Sequence, residues 1–236
     1  MKATSRPLLL GHRGVRPLWR FGVDRPQPKL PAENTIAAFE YALACGCDGF
    51  ELDVRFTRDR RAVLCHDPQI DGKDIATSDY SDIQRTGNEL ACLEDVLARF
   101  GSTAYLDIEL KVSGDEEASV AALHASPPKR GHVVSSFLPD ILLRIHEIDA
   151  HAPLGFICEH RREAERWSEL PIAAFIPHHK LVSPGLIEEV HGRGLKLLTW
   201  TVNQKRALLR LASWGVDGLI SDDPGLLSRT FPCTQD

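Results

Sequence analysis

The sequence predicts an α/β fold: a (β/α)8 barrel with an extra hairpin strand after the second barrel strand. Short β-branched or leucine-rich runs alternate with longer amphipathic runs along the whole chain, as expected of parallel βα units. Eight such short runs can be counted, and the 236 residues are close to the roughly 250 that a single barrel needs. No internal repeat or change of composition marks a boundary, so we expect one domain over residues 1–236.

The eight predicted barrel strands are residues 8–12, 49–54, 105–111, 132–136, 154–158, 173–177, 196–201 and 218–221. Predicted helices lie between them, including residues 35–44, 93–100, 116–124, 140–148, 184–193 and 205–214. Local signals support several helix ends. Asn34 is a suitable N-cap, Pro184 fits a first helical position, and Gly194 follows a helix as a C-terminal glycine.

A ninth short run, residues 62–66, follows the second strand too closely for a parallel crossover, which needs at least about 10–12 residues. An antiparallel hairpin through residues 58–61 is the simplest connection. If the turn is centred between Asp59 and Arg60, counting along the ladder places His66 opposite Asp53. The hairpin is therefore expected to bring an imidazole beside a carboxylate.

Two longer connections interrupt the alternation. Residues 15–32 contain four prolines, three arginines and Trp19, and they follow the first strand, at the barrel mouth where loops carry function. We expect this segment to form a lid or a head-group selector, with a proline-rich surface flap as the alternative. Residues 68–91 form a second, polar and turn-rich insertion.

Composition excludes several classes of function. The formal net charge of −5 argues against a nucleic acid partner held by general electrostatics. No segment approaches the roughly 20 apolar residues of a membrane span, and the apolar run at the start is too short for a signal peptide. These features predict a cytoplasmic protein without an integral membrane segment, and they do not indicate an oligomeric state.

Polar residues at the ends of the predicted strands need an explanation, because branched apolar side chains fill barrel interiors. Glu51 and Asp53 are two residues apart and so share one face of the second strand, and Glu109 lies on the next barrel strand. Carboxylates that converge in this way need a cation to stay ionised. Their oxygen donors favour Mg²⁺ or Ca²⁺ over zinc.

Seven short motifs occur along the chain: GHRG (11–14), ENT (33–35), ELDVRFTRDRRAVLCHD (51–67), DIELK (107–111), SSF (135–137), WTVN (200–203) and DGLISDDP (217–224). In these motifs and in their order, which cover almost the whole chain, the sequence resembles the glycerophosphodiester phosphodiesterases. That family shares a barrel with the phosphatidylinositol-specific phospholipases C.

The resemblance implies roles for individual residues. His12 and His66 match the family's general acid/base pair, a role that suits histidine near neutral pH. Glu51, Asp53 and Glu109 match its divalent-metal ligands.

Four further residues match positions around the substrate. Arg13 and Lys111 match cations that hold the phosphate, although Lys111 could instead simply pair with Glu109. Trp200 is expected to close the apolar side of the pocket, or else to be a core residue. Glu33 is a candidate for contacting the metal's waters or Arg13, with a helix N-terminal charge as the alternative.

The predicted function is metal-dependent hydrolysis of a small glycerophosphodiester to sn-glycerol 3-phosphate and an alcohol. One rival is a lysophospholipase D or sphingomyelinase D-like lipase, which requires an apolar groove, for which Trp19 and Phe21 are the candidates. Another is a non-catalytic protein that binds phosphate esters. The chain departs from the family at residues 58–61, where a lysine-glycine turn is usual; this departure is expected to loosen the hairpin and the placement of His66.

Overall fold

The computed structural model describes residues 6–17, 30–85 and 90–232. The strands in these ranges are β1 (Leu8–Gly11), β2 (Gly49–Phe56), β3 (Ala62–Leu64), β4 (Gln69–Ile70), β5 (Lys73–Asp74), β6 (Tyr105–Leu110), β7 (His132–Ser136), β8 (Leu154–Cys158), β9 (Ala174–Pro177), β10 (Lys196–Thr199) and β11 (Gly218–Ser221). The helices are α1 (Ile36–Ala44), α2 (Tyr80–Gln84), α3 (Leu93–Phe100), α4 (Glu116–Ala125), α5 (Pro139–Ile148), α6 (Arg161–Ala164), α7 (Pro184–Gly192), α8 (Lys205–Trp214) and α9 (Pro224–Thr230).

Eight parallel strands form a closed barrel, which confirms the predicted fold class. The order around the barrel is β1, β2, β6, β7, β8, β9, β10 and β11, and β11 pairs with β1 to close it. In this closing pair Gly11 is in register with Ser221. The first and last strands of the chain therefore end side by side at the barrel mouth.

Two apolar layers surround the barrel wall. A small cluster of branched side chains, which includes Leu10, Ile157 and Ile220, contains residues from six of the barrel strands. A larger cluster joins the strands to the helices, and in it Phe39 of α1 stacks on Phe50 of β2 with ring centroids 4.1 Å apart. The strand ends differ from these two clusters because they carry polar residues, which packing of a barrel interior does not explain.

The hairpin predicted after the second strand is present, but its predicted register was wrong by one residue. β3 pairs antiparallel with β2, and Val54 is in register with Leu64. Continuing this ladder places Cys65 opposite Asp53, and the Cys65 N–H donates to the Asp53 carbonyl at 3.1 Å. The shift arises because the turn is centred on Asp59, with Arg60 in the left-handed region at a φ of 61°.

Side-chain contacts hold this turn in place. The Thr57 hydroxyl donates to Asp59 at 2.6 Å and accepts from the Arg61 N–H at 2.9 Å, while Asp59 also accepts from the Tyr80 N–H at 3.0 Å. Arg60 pairs with Asp115 at 2.5 Å. The turn therefore has anchors of its own in place of the usual glycine.

The start of α1 also differs from its prediction. Thr35 is the N-cap, and its side chain accepts from the Ala38 N–H, so Asn34 is not the cap. Asn34 is buried, with a φ of 57°, and it faces the barrel. The predictions for Pro184 and Gly194 are confirmed, since Pro184 begins α7 and Gly194 follows it with a φ of 76°.

The insertion predicted over residues 68–91 contains β4, β5 and α2, which pack beside the hairpin. Most of the other insertion, including Trp19 and Phe21, lies outside the described residues. Across the part of the chain that the structure describes, no helix is both long and apolar enough to cross a bilayer.

Candidate active site

A cavity of about 260 Å³ opens at the C-terminal ends of the barrel strands. Seven of the nine site residues that the sequence predicts line it: His12, Arg13, Glu51, His66, Glu109, Lys111 and Trp200. Of the other two, Asp53 is fully buried beside the cavity wall, and Glu33 contacts Arg13 from the side. The strand ends thus bring together residues that lie almost 190 positions apart in the chain.

The carboxylates meet because β2 and β6 are parallel neighbours. Asp53 is in register with Glu109, and Glu51 is in register with Asp107 one step deeper. Residues in register on neighbouring strands share a face of the sheet. Glu51, Asp53 and Glu109 each offer an oxygen within 4.8 Å of the others, and all three are buried.

Burial makes this cluster electrostatically unfavourable on its own. Burial and the nearby carboxylates raise the pKa of Glu51 well above its ordinary value. Burial also raises the pKa of Glu109 to about 7, against the opposing charge of Lys111, and that of Asp107 to about 7. For Asp53, burial is outweighed by Arg13 and Lys111, and its pKa is lowered. Three of the four carboxyl groups therefore lack sufficient positive charge nearby.

The residues present fit a hard divalent cation. Among the described groups, Glu51 Oε1 is buried without a hydrogen bond, and so is Asp53 Oδ1, although Lys111 Nζ lies 3.2 Å from it. When all four carboxyl groups are ionised they face two cations, the buried Arg13 and the nearly buried Lys111, which leaves an excess of about two negative charges. All the candidate ligands are carboxylate oxygens, the donors that Mg²⁺ and Ca²⁺ prefer.

Arg13 is held rigidly at the cavity wall. Its backbone has a φ of 51°, and its N–H donates to Glu51 Oε2 at 2.8 Å. The guanidinium donates to Glu33 at 2.7 Å and lies 3.0 Å from Asp53 Oδ2. The next residue, Gly14, has a φ of 78°, and a Cβ there would lie 2.6 Å from the backbone of Ala38, so the GHRG turn needs glycine.

Glu33 positions two arginines. It accepts from Arg13 Nη1 at 2.7 Å and from Arg16 Nε at 2.6 Å. Burial would raise the pKa of Glu33, but these two guanidinium groups outweigh it, and the pKa is lowered. Of the contacts proposed for Glu33 from the sequence, the one with Arg13 is present.

Lys111 and Trp200 also line the cavity. Lys111 Nζ lies 2.6 Å from Glu109 Oε1, so its pairing with Glu109 is present while it also lines the cavity. The Trp200 indole N–H donates to the Ile176 carbonyl at 3.0 Å, which fixes the ring. Trp200 packs edge-to-face with Phe137 at 5.4 Å, giving this side of the cavity an aromatic surface.

His12 is oriented by residues from the far end of the chain. Its Nδ1 lies 2.6 Å from Asp222 Oδ1, and its Nε2 lies 3.8 Å from Glu51 Oε2 on the cavity side. Asn203 Nδ2 donates to Asp222 Oδ2 at 2.6 Å. Burial would raise the pKa of Asp222, but the bonds from His12 and Asn203 outweigh it, so the pKa is lowered and Asp222 is ionised.

His66 lines the same cavity from the segment that follows β3. Its Nδ1 lies 2.8 Å from Asp67 Oδ1. Burial lowers the pKa of His66, and the charges of Arg13 and Lys111 act in the same direction, while Asp67 opposes them. The imidazole is therefore mostly neutral near pH 7.

Several polar residues of this site were not predicted. Among them, Asp107 accepts from the Ser135 hydroxyl at 2.6 Å, and Asn34 donates to Asp53 Oδ2 at 2.8 Å while accepting from the Asp53 N–H at 3.1 Å. Asp222 and Asn203 are two more. Asp107 could have been found from its period-two spacing with Glu109, and Asp222 from its position just after the last strand.

With this fold and this cavity the chain is a barrel phosphodiesterase. A family model described as the glycerophosphoryl diester phosphodiesterase family matches residues 12–226. The chain belongs to that family, and the predicted resemblance and enzyme class are confirmed.

Known relatives extend over nearly the whole chain. A glycerophosphodiester phosphodiesterase from Caldanaerobacter subterraneus subsp. tengcongensis is 28% identical over 246 residues, which cover 94% of this chain and 96% of the relative. The structure of an Oleispira antarctica phosphodiesterase in complex with the product sn-glycerol 3-phosphate superimposes with a TM-score of 0.77 at 21% identity, covering 95% and 96% of the two chains. A glycerophosphodiester phosphodiesterase from Thermotoga maritima gives 0.74 at 23% identity, covering 95% and 98%.

Proposed function

We propose that this enzyme hydrolyses small glycerophosphodiesters to sn-glycerol 3-phosphate and an alcohol, with a divalent cation and with His12 and His66 as the acid/base pair. The observation that carries the proposal is the convergence of two imidazoles and a cation-deficient carboxylate cluster on one cavity. The sn-glycerol 3-phosphate bound as product in the Oleispira antarctica enzyme supports the proposed product.

Glu51, Asp53 and Glu109 are the proposed ligands of the cation, which we expect to be Mg²⁺ or Ca²⁺. When bound, such an ion supplies positive charge that stabilises the phosphate oxygens as the transition state forms. Asn34 supports the set by hydrogen-bonding both the side chain and the backbone of Asp53.

Arg13 and Lys111 are the proposed phosphate-binding cations of the chain. Both are buried or nearly so, and both are already fixed by carboxylates, so they lose little conformational entropy when the phosphate binds. Glu33 keeps Arg13 in place from the outer side. We therefore expect the phosphate to bind beside the carboxylate cluster, in the cavity that both imidazoles line.

The two imidazoles differ in environment, which suggests different roles. His66 has a lowered pKa, so we assign it to accept the proton from the attacking hydroxyl, whether of water or of the substrate's own 2-hydroxyl group. Asp222 holds His12 by Nδ1, which leaves Nε2 to donate a proton to the departing alkoxide. The carboxylate of Asp222 keeps the imidazole in the orientation that this step requires.

The two rival functions are not favoured. A rat lysophospholipase D is 22% identical over 255 residues, less than the bacterial phosphodiesterases. A non-catalytic binding protein would not need both imidazoles at one phosphate site.

A coupled assay for released sn-glycerol 3-phosphate tests the proposal. Glycerophosphocholine, glycerophosphoethanolamine and other head groups would be compared with lysolipids, in Mg²⁺, in Ca²⁺ and in EDTA. We expect release from the small diesters in the presence of a divalent cation, and a large loss in His12→Ala and His66→Ala. Preference for lysolipids, or near-full activity in either variant, would contradict the proposal.

A further inference from the structure

The guanidinium of Arg55 is joined to the backbone of His66. Arg55 lies on β2, two residues beyond Asp53, and it is partly buried. Its Nε donates to the His66 carbonyl oxygen at 2.9 Å, and its Nη2 donates to the same oxygen at 2.6 Å. Two donors from one planar group fix the oxygen in both distance and direction, which a lysine ammonium does not do.

His66 has little other support. β3 ends at Leu64, and the last hydrogen bond of the ladder is the one from Cys65 to Asp53. Among the described residues, Arg55 is the only group that hydrogen-bonds to the main chain of His66. The side-chain contact with Asp67 is between adjacent residues, and Asp67 is 75% exposed, so it does not tie His66 to the barrel.

The register of the hairpin shows why the hydrogen bonds from Arg55 to His66 matter for the direction of the imidazole. Cys65 lies opposite Asp53, and side chains alternate between the two faces of a strand, so a continued ladder would direct the next side chain away from Asp53. His66 nevertheless lines the cavity together with His12 and Glu51. The chain therefore leaves the ladder after Cys65. The hydrogen bonds from Arg55 hold the His66 backbone in this non-ladder position.

We infer that Arg55 is a positioning residue, which acts on the reaction by fixing the backbone of His66 so that the imidazole faces the phosphate. The inference rests on the proposed function, because it requires His66 to take part in proton transfer. Arg55 itself is not among the residues that line the cavity, so we assign it no contact with the substrate.

The test uses the full chain with saturating Mg²⁺ and compares Arg55→Gln, Arg55→Lys and Arg58→Gln. For Arg55→Gln we expect kcat to fall by about tenfold to a hundredfold, as for a small misplacement of a catalytic group, with KM changed by less than about threefold. Arg55→Lys keeps one donor and should recover part of the loss. Arg58 lies on the same hairpin and pairs with Asp79, so Arg58→Gln should leave kcat unchanged.

A double-mutant cycle with His66→Ala separates positioning from a general structural effect. If Arg55 acts through His66, adding Arg55→Gln to His66→Ala should cause no further fall in the residual kcat. An equal fall in both backgrounds, or an unchanged kcat in Arg55→Gln alone, would overturn the inference. Melting temperatures are measured for every variant, and if Arg55→Gln does not fold, Arg55→Lys carries the same cycle.

Failure of the proposed function would give a different result. His66→Ala would then keep near-full activity, and this result would remove the acid/base assignment and the inference together. A strong loss in His66→Ala without any loss in Arg55→Gln would remove the role of Arg55 alone.

Discussion

The imidazole Nδ1 of His12 lies 2.6 Å from Asp222 Oδ1, although 210 positions separate the two residues in the chain. They meet because β1 and β11 close the barrel with Gly11 in register with Ser221, so that the next residue on each strand faces the other. The His12 N–H also donates to the Ser221 carbonyl at 2.8 Å. Closure of the barrel thus brings His12, the proposed acid, against the carboxylate that orients it.

Replacing Asp222 by asparagine should damage the chemical step more than substrate binding. The amide would place a donor against either His12 or the amide of Asn203, and the imidazole would lose its orientation and its counter-charge. We expect kcat to fall by about a hundredfold or more, with KM little changed, as for the analogous carboxylate of a catalytic triad. Steady-state kinetics on glycerophosphocholine measures the effect.

The neighbouring residue supplies a matched control for that change. Asp223 is the N-cap of α9, and its side chain accepts from the Leu226 N–H at 2.8 Å. Asparagine is an equally good N-cap, so Asp223→Asn should change neither kcat nor the melting temperature appreciably. Equal losses in the two variants would mean that Asp222 acts only through local structure.

The role of His12 as the acid predicts a dependence on the leaving group. An aryl leaving group of low pKa departs without a proton, whereas choline or ethanolamine requires one. His12→Ala should therefore lose much less activity on a nitrophenyl diester than on glycerophosphocholine, while His66→Ala should lose activity on both. If His12→Ala is equally impaired with the two substrates, His12 is not the acid.

The stability gained from Mg²⁺ should increase with pH. Burial raises the pKa values of Asp107 and Glu109 to about 7, so without an ion the folded state holds more protons than the unfolded state. Their contribution to stability is therefore present below about pH 4 and lost as the pH rises through about 7. A bound ion offsets this loss, so the rise in melting temperature on adding Mg²⁺ should be larger at about pH 8 than at about pH 5.5.

Asp107→Asn checks the cause of that pH dependence. The amide oxygen can still accept from the Ser135 hydroxyl, while the buried ionisable group is gone. In EDTA the melting temperature of this variant should fall less steeply between about pH 5 and about pH 8 than that of the unchanged protein. If the melting temperatures of the two proteins fell equally with pH, or if stabilisation by Mg²⁺ did not depend on pH, the carboxylate cluster would not be the source of the pH dependence.

Arg60 offers a test of the hairpin turn. Its φ of 61° suits glycine, and its ion pair with Asp115 involves an Arg60 side chain that is 62% exposed, so the pair contributes little. Arg60→Gly should therefore be more stable than Arg60→Ala by about 1 kcal/mol, because both lose the pair and glycine adopts this backbone without the steric cost of a Cβ. Chemical denaturation measures the difference, and equal stabilities would argue against the left-handed turn.

Much of the fold could be predicted because each barrel strand carries its own signal. Residues 154–158 and 218–221 are short branched runs bounded by turn residues, and both are strands with those limits. The carboxylate cluster could also be predicted, since period two places Glu51 and Asp53 on one face. These strand limits and this shared face are confirmed.

The remainder depends on geometry that no local pattern contains. The pair of His12 and Asp222 follows from the register that closes the barrel, and the hairpin register follows from an arginine in a conformation that arginine seldom adopts. The residue type and position of Asn34 predict a helix cap, but its side-chain amide instead donates a hydrogen bond to Asp53. In each case a long-range contact overrides the local preference.

A metal titration of the EDTA-treated enzyme tests the central claim most directly. Initial rates of sn-glycerol 3-phosphate release from glycerophosphocholine would be measured against Mg²⁺ and Ca²⁺ for the unchanged protein and for Glu51→Gln and Glu109→Gln. We predict almost no turnover without a divalent cation, saturable recovery in the unchanged protein, and at least about a tenfold higher cation requirement in each variant. Full turnover in EDTA, or the same titration curve in the variants, would contradict a catalytic cation held by this cluster.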